Sequence, residues 1–94
     1  MDNHEINKLK EETVFWKNMT INKISEIDET KSEAEKNFEK VNKMLKNPQI
    51  IQQQKDKLTI IRNKYLALII ECIFKKYHLK QEVETLEKKY KSKN

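Results

Sequence analysis

The chain has 94 residues, 36% of them apolar and 37% charged, with a formal net charge of +5, one cysteine, one proline and no glycine. Ordinary globular domains hold about 45–50% apolar and 25% charged residues, so this balance excludes a compact single-chain core. A lone cysteine excludes an internal disulfide, and the absence of glycine excludes phosphate loops, dinucleotide fingerprints and a many-turned fold.

What composition leaves is a pair of long helices that each bury one stripe and solvate the rest. Disorder, the competing reading of a charged chain, conflicts with the periodicity of the apolar residues. The longest apolar stretch, Tyr65 to Phe74, is interrupted by Glu71 and met by Lys75 and Lys76. A bilayer span needs about twenty apolar residues, so no membrane span is expected. The polar start Met1-Asp2-Asn3-His4-Glu5 does not resemble a signal peptide. These features predict a soluble, intracellular protein, in cytoplasm or nucleus.

The first predicted helix runs from about residue 3 to 46. Its stripe reads Ile6, Leu9, Thr13, Trp16, Thr20, Ile24, Ile27, Lys31, Ala34, Phe38, Val41 and Leu45. Steps of three and four alternate, as in a coiled-coil seam. Two successive steps of four between Trp16 and Ile24 predict a stutter there. Phe15, Trp16 and Met19 gather nearby, either as a core layer opposite Leu79 and Lys76 or as a partner hot spot.

The break falls at residues 46–48. Pro48 lacks an amide hydrogen and pushes Asn47 out of helical geometry. Asn47 is thus expected as the N-cap and Pro48 as the first residue of the second helix. A kinked continuous helix is the alternative, since no glycine is available to close the first one.

The second predicted helix spans about 48–90. Ile51, Leu58, Tyr65, Cys72, Leu79 and Leu86 recur every seven residues, with Ile61 and Leu68 interleaved. The expected hairpin seam therefore joins Ile24, Ile27, Phe38, Val41 and Leu45 to Ile51, Leu58, Ile61, Tyr65, Leu68, Cys72, Leu79 and Leu86. A further stripe, Leu66, Ile69, Ile70, Ile73, Phe74 and Tyr77, makes this window apolar nearly all round, and such a helix must be enclosed on more than one side. These six are the candidate oligomer or partner interface.

A tight fold-back at Asn47 places residue 47 − n opposite 48 + n. The acidic run Glu26, Asp28, Glu29, Glu33, Glu35 and Glu39 would then face Lys55, Lys57, Arg62 and Lys64. Residues 1–47 carry a net −1 and residues 48–94 a net +6, so complementary arms account for the asymmetry. Such pairs set register more than stability.

Chemistry has little support. Cys72 and His78 lie about 120° apart around a helix, with no oxyanion donor or orienting group beside them. His78 has only Glu82 at i+4 and His4 has no ligand at that spacing, so neither a metal nor any other cofactor is expected. Nineteen of the twenty basic residues are lysine, which disfavours a chain selected to grip phosphates through arginine forks.

The sequence thus predicts an all-α, non-enzymatic module: an antiparallel coiled-coil hairpin over residues 1–94, with a frayed basic tail at 91–94. It is expected to assemble into a four-helix bundle or larger helical oligomer. Its partners would be itself, as homodimer or higher, or another coiled-coil protein. At the level of architecture alone it is similar to small helical subunits of eukaryotic cytoskeletal, kinetochore or chromosome-axis scaffolds, which implies a structural or adaptor role. The alternative is a basic accessory protein that binds nucleic acid through Lys88, Lys89, Lys91 and Lys93, without sequence preference.

Overall fold

The computed structural model describes the backbone of residues 2–92 and the side chains of residues 2–89. Two helices, α1 (Asn3–Leu45) and α2 (Gln52–Ser92), pack against each other as a hairpin; there is no strand among the described residues. The break at Asn47-Pro48 is therefore a reversal and not a kink.

Asp2 starts α1 as a side-chain cap. Its Oδ1 accepts the Glu5 amide at 2.9 Å, and Glu5 places an acid in the first turn, where the helix dipole favours it. At the other end the missing glycine has a visible consequence. No described residue adopts positive φ, so no left-handed cap closes α1. Instead the Lys46 and Asn47 amides donate to the Lys43 and Met44 carbonyls, each at 3.2 Å, tightening the last turn to i→i+3 bonds.

Asn47 and Pro48 act differently from the expectation. The Asn47 side chain accepts the Gln49 amide at 3.0 Å, and its carbonyl accepts the Ile50 amide at 3.2 Å. Asn47 thus organises a separate turn, with Pro48 at the second position, where its fixed φ fits. Helix α2 begins four residues later, at Gln52, where the Ile51 carbonyl takes the Lys55 amide at 3.0 Å. The connection is six residues long, from Lys46 to Ile51.

That length resets the register. Two ion pairs cross the hairpin, Lys17 to Glu87 at 2.6 Å and Lys76 to Asp28 at 2.8 Å. Eleven residues along α1, from Lys17 to Asp28, match eleven back along α2, from Glu87 to Lys76, so residue n of α1 lies level with 104 − n of α2. The acidic run Glu26–Glu39 therefore lies beside residues 65–78, not beside Lys55–Lys64. The overall dimensions agree. The 43 residues of α1 account for about 64 Å at 1.5 Å per residue, while the hairpin is 73 Å long. The surplus is about six residues of α2 projecting past Leu45.

Burial defines the seam. On α1 the covered positions from Thr13 to Leu45 are the series Thr13, Lys17, Thr20, Ile24, Ile27, Lys31, Ala34, Phe38, Val41 and Leu45, with Asn37 and Asn42 half-buried beside it. From Thr13 on, the seam steps alternate four and three, so no stutter falls between Trp16 and Ile24. Lys17, not Trp16, takes the seam position, and with Leu9 also covered the two successive steps of four fall one turn earlier, at Leu9–Thr13–Lys17. On α2, among the described side chains, the covered positions are the series Leu58, Arg62, Tyr65, Ile69, Cys72, Lys76, Leu79, Val83 and Leu86, with Thr59 and Glu87 half-buried beside it. The register places Leu45 in a layer with Leu58, Phe38 with Tyr65, Ala34 with Ile69 and Ile24 with Leu79. Among the described residues only Thr20, Ala34, Val41 and Cys72 are buried. The Thr20 hydroxyl donates to the Trp16 carbonyl at 2.9 Å, so its burial leaves no polar group unsatisfied.

A candidate helix-docking face on α2

Several expected seam residues lie elsewhere. Ile61 and Leu68 are 40% and 36% exposed on one flank of the seam, and Ile51 projects past the end of α1 at 57% exposed. Conversely Ile69, assigned from sequence to the outer stripe, faces α1. The cause is a degeneracy. From Leu58, the series 61, 65, 68, 72 and the series 62, 65, 69, 72 both alternate threes and fours. Hydropathy selects the first; the structure adopts the second. Arg62 and Lys76 can occupy it because their stems cover apolar surface while their charged heads reach the edge. Lys76 then meets Asp28, as Lys17 meets Glu87 on the opposite helix. The clue available in the sequence was this pair of acids one residue beyond seam positions.

The remaining outer residues form the candidate site. Leu66, Ile70, Ile73 and Tyr77 are 41%, 45%, 49% and 57% exposed, and they recur at steps of four, three and four. That is a second coiled-coil stripe on the same helix, offset from the first and without a covering element. Phe74, 61% exposed, lies beside it, and Ile60 extends the same side toward the turn. Around this window the polar surface shrinks to a strip containing Lys64, Glu71, Lys75 and His78. Glu71 and Lys75 pair at 2.9 Å, and the lysine's pKa is raised, first by the Glu71 hydrogen bond and then by its charge.

The wall next to this stripe belongs to α1. By the register, Asp28, Glu35 and Glu39 lie level with residues 76, 69 and 65, on the flank that turns toward the α2 stripe. Lys76 holds Asp28, and Lys31 holds Glu35 at 3.4 Å. Mid-hairpin, one face is thus apolar along α2 and acidic along α1.

Near the open end, Trp16 stands 54% exposed beside Phe15, the two rings edge to face with centroids 5.8 Å apart. Trp16 overhangs an open groove of about 680 Å³ whose other walls are Thr20, His78, Gln81, Glu82, Thr85 and Leu86. Trp16 is not in a core layer with Leu79 and Lys76. The Cys72 thiol is buried against α1, whereas His78 is exposed. No group of three or more His, Cys, Asp or Glu side chains suited to a metal occurs among the described residues. Nor is any described helix long and apolar enough to cross a membrane. Of the lysine-rich end, Lys88 and Lys89 are exposed on α2; Lys93 lies outside the described residues, and the side chain of Lys91 is likewise not described.

No family model matches this chain, and neither does any curated protein or solved structure.

Proposed function

We propose that the protein is a non-enzymatic structural or adaptor subunit, a helical hairpin that acts by packing the outer face of α2 against other helices in a larger assembly. The observation that carries this reading is the uncovered stripe Leu66–Ile70–Ile73–Tyr77. A folded, water-soluble hairpin gains nothing from four large apolar side chains in coiled-coil spacing on its outside, whereas a bundle component needs them. Magnitudes support it. A compact monomer of 11.4 kDa presents about 5,800 Å² to solvent. This hairpin presents 7771 Å². Its radius of gyration is 21.2 Å, against about 12 Å for a compact domain of this length.

The test is made in the cells that produce the protein. Tagged chain should fractionate in a complex well above hairpin size, and Ile70→Glu with Ile73→Glu should release it as a free hairpin. Recovery of the native chain only as a free hairpin, unchanged by the double substitution, would contradict the reading.

A further inference from the structure

We infer that the occupant of the α2 outer face is a second copy of this chain, with the two α2 helices antiparallel about a two-fold axis between Ile70 and Ile73. The inference rests on the reading of that face as an interface and names its partner.

Three observations point to the same operator. First, the steps from Leu66 to Tyr77 are four, three and four, which read alike in both directions. An antiparallel two-fold therefore returns the stripe onto itself, Ile70 against Ile73 of the second copy and Leu66 against Tyr77, as isologous contacts require. Second, the stripe is centred on the helix. The midpoint of Gln52–Ser92 is Cys72, within one residue of the proposed axis, so the two α2 helices overlap along their whole length.

Third, the charges match. The face has one apolar wall on α2 and one acidic wall on α1, so its occupant must carry an apolar stripe with basic residues alongside. Helix α2 itself has that composition, with Lys76 and Lys80 flanking the stripe. Lys76 and Glu35 already hold Asp28 and Lys31 within each hairpin, so the match rests on Lys80, which reversal about the axis brings within two residues' rise of the level of Glu39, about 3 Å along the helix. Complementary placement of this kind fixes orientation and suppresses the wrong arrangement.

Cysteine cross-linking reads the operator directly. Ile70→Cys and Ile73→Cys, each in a Cys72→Ala chain, are mixed in equal amounts and equilibrated in a glutathione buffer. The mixed disulfide between positions 70 and 73 should exceed both like–like disulfides, and it should be lost when Leu66→Glu is added. Predominance of the 70–70 and 73–73 species would overturn the antiparallel operator. Absence of any cross-link, in chains whose circular dichroism still shows two helices, would overturn the self-association. Either failure leaves the adaptor reading standing if the native chain still fractionates in a large complex in its cells. Should Cys72→Ala disturb the fold, the same pairs are read with Cys72 retained, since that thiol is buried in the seam.

Discussion

At the seam of this hairpin, neighbouring residues compete for one position, and the more polar of the two repeatedly takes it. Lys17 takes it beside Trp16, Arg62 beside Ile61 and Ile69 beside Leu68. The last of these is an even exchange of apolar side chains; the first two leave a large apolar group outside. Cross-helix acids explain the choice at Lys17 and Lys76, because each finds a carboxylate one position beyond the facing layer. The residue scale therefore yields a sharp contrast. Ile69→Ala, opposite Ala34, should destabilise the hairpin by about 2 kcal/mol, whereas Ile61→Ala should cost only about 0.5 kcal/mol. Urea denaturation of the two variants compares them directly; equal losses would return Ile61 to the seam. Hydropathy favoured the neighbour that the structure leaves outside, Ile61 over Arg62, because both spacings are legitimate heptads. The three-dimensional flank on which the acids lie decided the matter.

At the scale of the elements, the sequence shows why there are two helices more readily than how they meet. The reversal at Asn47-Pro48, the all-helical arms and the heptad period were legible, because proline chemistry and apolar spacing are local. Register was not. It depends on where α2 restarts, and Ile50 and Ile51 gave no breaker signal to show that the chain would run on to Gln52 before coiling again. The Asn47 side chain accepts the Gln49 amide, a bond that alanine removes, so Asn47→Ala should cost about 1 kcal/mol in thermal or chemical unfolding, as is usual for such side-chain-to-backbone caps. The seam also contains a replaceable charge. Lys17 sits level with Leu86, and its exposed pairing with Glu87 contributes at most about 1 kcal/mol. Lys17→Leu should therefore raise stability, by about 1 kcal/mol from the added apolar contact. A lowered denaturation midpoint for that variant would show the ion pair to outweigh apolar packing here.

For the whole molecule, the imbalance between what α1 covers and what α2 presents is the dominant property. Among the described residues the hairpin buries four side chains, while fifteen large apolar side chains remain more than a third exposed, so much of the apolar surface is unused by the fold itself. That imbalance is the ground on which association is proposed for this chain. Of the six residues assigned from sequence to the outer stripe, five are exposed and Ile69 faces the seam, for the reason given there. The second cluster, from Val14 to Ile21, including Trp16 and its groove, indicates that α1 also has surface to contribute near the open end. Sedimentation equilibrium of the purified full chain at about 100 μM tests the central claim most directly, since even a micromolar self-contact is nearly saturated there. The expected mass is twice 11.4 kDa, falling to the single-chain value with Ile70→Glu and Ile73→Glu while helicity is kept. A single-chain mass for the native protein under those conditions would contradict it.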